Sequence, residues 1–168
     1  NHFDKLYLVT QKDDVKTINY CKTFNNIEIL FFNFKTKESM FNKGGALKMV
    51  QQIVYEKYQN HWYLIIDSDI ILPNNFIDIL IKEELNEECI YGALRNNLYK
   101  SSDILKPIIP DHNWCLNHII HKGPNPPSIL GCFQLYKKRE IFYRNSNSCA
   151  LCDYQFCWDN FDLFCNLE

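Results

Sequence analysis

An α/β fold, built as one domain over residues 1–168 with a mixed but mostly parallel sheet and helices on both faces, is what this sequence predicts. Three observations lead there. Apolar, β-rich runs alternate with segments of helical period. One run, residues 62–66, is apolar on both faces, as a central parallel strand covered by helices must be. A chain of 168 residues that is 46% apolar and 15% aromatic also holds enough material for one sizeable core.

Taken in order, residues 5–9 (Lys-Leu-Tyr-Leu-Val) make a short apolar run closed by Thr10, and residues 27–34 (Ile-Glu-Ile-Leu-Phe-Phe-Asn-Phe) make a second. Both read as strands, since β-branched and aromatic residues suit a pleated, half-buried surface. Between them, residues 13–24 carry Val15, Ile18 and Cys21 at helical spacing, with Asp13 or Asp14 as N-cap, so the three segments form a βαβ unit. Gly44-Gly45 opens a helix whose Ala46, Leu47, Val50, Ile53, Val54 and Tyr58 recur on one face. The strand at 62–66 follows at once. Residues 95–128 show no clear period and contain Arg95, Trp114 and the cluster Gly123-Pro-Asn-Pro-Pro127, which reads as a long functional loop. Gly131 marks a turn before a buried strand, and residues 154–161 read as a helix for which Asp153 is a candidate N-cap.

Composition excludes some functions. A formal charge of −2 offers no broad basic field for nucleic acid. No apolar stretch approaches the ~20 residues of a membrane span. The chain opens on Asn1 rather than Met, so any targeting signal upstream is invisible here. Of eight cysteines, Cys149, Cys152, Cys157 and Cys165 crowd the last twenty residues, and Cys149-x-x-Cys152 has the spacing of a zinc or redox half-site without a second pair. The plainer reading is free thiols packed as small apolar residues in a reducing compartment, hence a cytoplasmic location. His118-x-x-His121, with His112 nearby, reads either as metal ligands or as surface histidines.

The chemistry concentrates in residues 62–73, Trp-Tyr-Leu-Ile-Ile-Asp-Ser-Asp-Ile-Ile-Leu-Pro. Buried, unpaired carboxylates are costly, so two of them inside an apolar run need an explanation. The strand places Asp67 and Asp69 at its carboxyl end, the edge where open α/β sheets bind ligands. Two carboxylates there repel each other unless a cation lies between them, and hard oxygen donors suit Mg²⁺ or Mn²⁺ with positions left for substrate phosphate. The alternative is turn formation without metal, for which Asp is also suited.

At this point the sequence resembles a known family. Leu6-Tyr-Leu-Val-Thr10, Phe41-Asn-Lys-Gly-Gly-Ala46, Leu64-Ile-Ile-Asp-Ser-Asp-Ile70 with Leu72-Pro73, Gly92-Ala93, Gly131-Cys-Phe-Gln-Leu-Tyr136 with Lys138-Arg139-Glu140, and Cys152-Asp153-Tyr-Gln-Phe156 occur in the order of nucleotide-sugar-dependent glycosyltransferases with the A-type, Rossmann-like fold. The resemblance covers residues 5 to 160. It implies a metal-dependent transfer of sugar from a nucleotide sugar, with UDP the expected nucleotide, to a hydroxyl on a glycan, protein or small-molecule acceptor. Asp69 would hold Mn²⁺ or Mg²⁺, and Asp67 the ribose or a metal-bound water. Asn42, Lys43 and Gly44, on an Asn-Lys-Gly-Gly turn, would meet the nucleotide or sugar, Thr10 and Asn33 the nucleoside, and Gly131 the substrate. Residues 95–128 would face the acceptor, with Trp114 stacking on a sugar ring. Asp153 would take the acceptor proton as general base. The family usually shows two acidic residues there, and Cys152 occupies the first place, which leaves inverting and retaining outcomes both open. A histidine often completes the family's metal shell, but none of the five lies beyond residue 121.

Two rival functions come from other classes. A haloacid-dehalogenase-type phosphotransferase also carries Asp-x-Asp after an apolar strand, but normally in its first strand and before a small polar pair, whereas Ile-Ile-Leu-Pro follows Asp69. A domain of the same fold that binds a nucleotide sugar or glycan without turnover is the other.

Overall fold

The structure is a computed structural model that describes residues 3–37, 40–93, 116–118, 133–146 and 151–160. It is a mixed α/β chain that divides into two compact units, one formed by Asn1–Gln59 with Ile141–Phe156 and the other by Asn60–Glu140 with Cys157–Glu168.

The first unit begins with the βαβ element that the sequence announces. Strands β1 (Leu6–Thr10) and β2 (Ile27–Phe31) pair in parallel, Leu6 opposite Ile27 through Thr10 opposite Phe31. Helix α1 (Val15–Cys21) makes the crossover that parallel strands require, burying Ile18 and Cys21. Of the two possible caps the chain uses Asp14, whose carboxylate accepts from the Thr17 amide at 3.3 Å. Strand β2 stops at Phe31, three residues short of the end of the apolar run, level with the end of its described partner β1 at Thr10. In β1, burial, with Tyr58 and Glu28 close by, holds the Tyr7 phenol well above the ordinary tyrosine range.

Helix α2 (Lys43–Lys57) starts one residue before the glycine pair. Its N-cap, Asn42, accepts from the Gly45 amide at 2.8 Å. Gly44 and Gly45 therefore lie in the first helical turn, and the pair does open the helix as the sequence indicates. Ala46 and Val54 of the expected apolar face are buried, together with Gln51 and Tyr55. Gln51 tolerates burial because its amide is satisfied: Oε1 accepts from the Tyr143 amide at 2.8 Å and Nε2 donates to the Tyr55 hydroxyl at 3.2 Å. The 142–146 segment thereby lies along α2, with Tyr55 against Phe142 at 5.4 Å between ring centroids. Helix α4 (Leu151–Asp159) adds Cys152, Asp153 and Phe156 to this unit, and Phe156 stacks on Tyr143 at 4.2 Å and 6°. Asp153 is not the N-cap of this helix, which is already under way at Leu151.

The second unit departs from the expected architecture. Strand β3 (Trp62–Ile66) is found where the sequence places it, but it pairs antiparallel with β6 (Phe133–Lys137). Strand β6 pairs antiparallel with β4 (Tyr91–Ala93), which pairs with β5 (Leu116–His118), giving the order β3-β6-β4-β5. The described strands thus form a two-stranded parallel sheet and a four-stranded antiparallel one. Within the latter β3 stands at one end of the order, so it is not the central parallel strand expected. Apolarity on both faces reports burial but neither the direction of a neighbour nor a place in the order. Burial is deepest in β6, where Phe133, Gln134, Leu135 and Tyr136 are all enclosed. Helix α3 (Phe76–Lys82) buries Phe76, which meets Phe133 edge-on at 5.7 Å. Lys137 closes the edge: its ammonium donates to the Asn60 carbonyl at 3.0 Å, pairs with Glu87 at 3.1 Å and lies 5.7 Å over the Trp62 ring. Among the described residues no helix is long and apolar enough to cross a membrane.

The glycine pair makes the first unit's packing testable. A Cβ at Gly44 would run into the Arg144 carbonyl oxygen and meet Cys152 Cβ at 3.2 Å. Gly44→Ala should therefore lower stability by about 1–3 kcal/mol through overpacking, even though alanine gains about 1 kcal/mol in helix propensity over glycine. Urea unfolding of the two proteins measures the balance.

Candidate functional site

In the first unit, the carboxyl ends of β1 and β2 border an open cleft of about 440 Å³, lined by Gln11, Lys12, Asp13, Phe31, Phe32 and Asn33. Parallel strands bring these residues together because both chains leave the sheet at the same edge. The lining combines two aromatic rings, two amides and one charge of each sign, a surface suited to a flat ring with polar edges. Thr10, beside this edge, is buried and donates its hydroxyl to Asp14 Oδ2 at 3.1 Å. Asn33 is exposed, and its Oδ1 accepts from the Lys35 amide at 3.3 Å, which shapes the turn that leaves β2. Hydrogen bonds from the Thr17 side chain and amide, and from Thr10, hold the Asp14 carboxyl below the usual aspartate range against the opposing effect of desolvation.

The same unit brings together two residues 110 positions apart. Lys43 opens α2 and Asp153 lies in the first turn of α4, and the ammonium donates to Asp153 Oδ2 at 3.0 Å. The other carboxylate oxygen accepts from the Tyr143 hydroxyl at 3.0 Å. The side chains are 16% and 9% exposed, so the pair is largely out of water and its charges compensate each other. Asn42, beside it, accepts from both Gly45 and Ser146 amides and donates to Asn145 Oδ1 at 3.4 Å. Gly44 and Gly45 admit the 144–145 backbone and side chains to the helix, since a Cβ on Gly45 would meet Asn145 Oδ1 and Asn42 Nδ2 at 2.6 Å. The chain itself makes the close approach here.

In the second unit β3 ends at Ile66, and Asp67 to Ile70 form a turn closed by the Ile70 amide on the Asp67 carbonyl at 3.2 Å. Asp67 is half-buried and Asp69 exposed. Both residues therefore lie in one turn at the carboxyl end of the strand, where the sequence places them.

Several expected residues lie outside the described residues: Trp114, Gly131, Cys149, Cys165, His112, His121 and all of 95–128 except 116–118. Tyr143, Gln51, Phe31, Phe32 and Lys12 join the site without having been singled out. Tyr143 carries no local signal, because its importance comes from partners on α2 and α4. Phe31 and Phe32 were visible as strand residues, and the early end of β2 turns them into cleft lining.

Compared with protein-family models, with curated proteins and with solved structures, the chain matches none.

Two measurements probe the geometry. Tyr143→Phe keeps the ring on Phe156 but removes one donor from the buried carboxylate, and should cost about 1–3 kcal/mol in urea unfolding. Asp14 predicts a pH effect. With its folded-state carboxyl held below the ordinary value, its stabilising contribution is present above the ordinary aspartate range and is lost as pH falls through the depressed value. The Tm of Asp14→Ala should lie below that of the parent at neutral pH and converge with it in acid.

Proposed function

We propose that this chain is a metal-dependent glycosyltransferase-like enzyme of the A-type, Rossmann-like fold that moves a sugar from a nucleotide sugar, with UDP as the nucleotide, to a hydroxyl acceptor. The observation that carries the reading is the exit of β3 into the Asp67-Ser68-Asp69 turn, with Asp69 facing solvent. Taken by itself, the first unit offers a cleft at the carboxyl ends of β1 and β2 in which Asn33 and the phenylalanines suit a nucleoside base.

The acidic turn fits a divalent cation on donor chemistry. Among the described residues no three His, Cys, Asp or Glu side chains gather as a metal cage. Mg²⁺ and Mn²⁺ do not need one, since they take one or two protein carboxylates and complete their shell with phosphate oxygens and water. Asp69 would be the direct ligand and Asp67 its partner. A cation bound there supplies stabilisation of the charge that develops on the leaving diphosphate. The resemblance would assign two residues of the first unit, Lys43 to phosphate and Asp153 to the proton of the incoming hydroxyl. Among the described residues Cys21, Cys89, Cys152 and Cys157 are buried and form no disulfide, which suits the proposed reducing, cytoplasmic setting.

A second reading, binding without transfer, is favoured by one observation: Asp153 has both oxygens engaged and only 6% of its surface exposed.

Calorimetric titration with UDP, with Mn²⁺ and again with chelator, tests the proposal. Asp69→Ala should leave the circular dichroism spectrum unchanged, because the residue is exposed, and should abolish the metal-dependent part of UDP binding. Equal binding by the variant would sink the metal assignment.

A further inference from the structure

The cleft of the first unit sets two phenylalanine rings beside the polar residues Gln11, Lys12, Asp13 and Asn33. A glutamine amide can turn either end outward, and the exposed Lys12 and Asp13 carry full charges that water solvates. Asn33 differs, because its amide has a direction. It faces the Lys35 backbone N–H at 3.3 Å. A backbone N–H can only donate, so the atom turned toward it is the oxygen, and the NH₂ end points away from the turn. Asn33 therefore has donors, not an acceptor, to offer a molecule in the cleft. The rim that carries it is held on both sides. The Phe32 amide donates to the Thr10 carbonyl at 3.0 Å, and the Asn42 amide donates to the Phe34 carbonyl at 2.8 Å. Phe32 meets Phe34 edge-on at 5.4 Å, and Phe34 stacks on Phe41 at 4.7 Å. Phe31, 45% exposed, leaves ring surface on which a flat base can lie.

We propose that Asn33 sets the choice of base: its Nδ2 donates to the C4 carbonyl of uracil, and the cleft thereby rejects cytosine, which carries an amino group at that position. The inference rests on the nucleotide-sugar reading and deepens it from a nucleoside surface to a stated base. The ribose and diphosphate continue from the opposite end of the ring, so the edge remote from the sugar is the one the cleft receives. At that edge uracil accepts and cytosine donates, and a donor set against a donor makes no bond. The C2 carbonyl is common to both bases and does not distinguish them.

Calorimetric titration with UDP and with CDP, each with Mn²⁺, reads the base alone, because ribose, diphosphate and metal are the same in both. The parent chain should bind UDP roughly tenfold more tightly than CDP. Asn33→Asp keeps one oxygen to accept from the Lys35 amide, so the turn is retained, while its other oxygen puts an acceptor where the donor was. The order should reverse in this variant, with CDP the tighter ligand. Its added charge acts on both nucleotides alike and cancels in their ratio. Asn33→Ala, which has neither group, should bind the two equally. Equal binding by the parent chain would overturn the assignment and leave the nucleotide-sugar reading standing. So would a preference that fails to reverse in Asn33→Asp, since a residue that merely shapes the turn would not move the ratio. Failure of the parent chain to bind either nucleotide would overturn both. Should Asn33→Ala not fold, Asn33→Asp decides by itself.

Discussion

The first unit depends on one largely buried ion pair. Lys43 and Asp153 come from helices separated by most of the chain, and their charges compensate each other at 3.0 Å. Buried pairs of this kind contribute little net stability, since desolvation offsets most of their attraction, but losing one member leaves a charge stranded. Their value lies in specificity. The Lys43 ammonium donates to Asp153 Oδ2, so the pair ties the first turn of α4 to the first turn of α2.

Everything near that pair is arranged to let the 142–146 segment reach it. Asn42 and Gln51 each satisfy backbone amides of this segment, at Ser146 and Tyr143. Glycines at 44 and 45 clear the space for Arg144 and Asn145. Tyr143 then joins the polar and apolar parts of the packing, with its ring on Phe156 and its hydroxyl on Asp153. A polar interior of this type is tolerated only when its members are satisfied together, and the amide, hydroxyl and carboxylate groups here bond to one another.

The second unit is organised by a different constraint. Strand β6 has neighbours on both edges, and its buried residues set the sheet around them. Gln134 sits among them at 0% exposure, with its amide directed at Cys157 Sγ at 3.8 Å. Strand β3, held by this one described neighbour, ends in the acidic turn. That turn leaves a strand paired along its five residues, with Asp67 half-buried and Asp69 exposed, and the proposed cation site rests on this position.

The local features of this protein were legible in its residues. Apolar period marked β1, α1, β2, α2 and β3, Asp14 was among the expected caps, and the rim position of Asp67 and Asp69 followed from the strand before them. These depend on neighbours a few positions away, and hydrophobic period reports them directly. Pairing was decided elsewhere. Whether β3 meets a parallel or an antiparallel neighbour depends on a strand some seventy residues later, and both partners look equally apolar. The same holds for the site. Residue type made Lys43 and Asp153 candidates, but that they bind each other, with Tyr143 as the third member, is a fact of tertiary structure. Long-range contacts between charged groups leave no period in a sequence, since each side chain is chosen to suit a partner that only folding brings near.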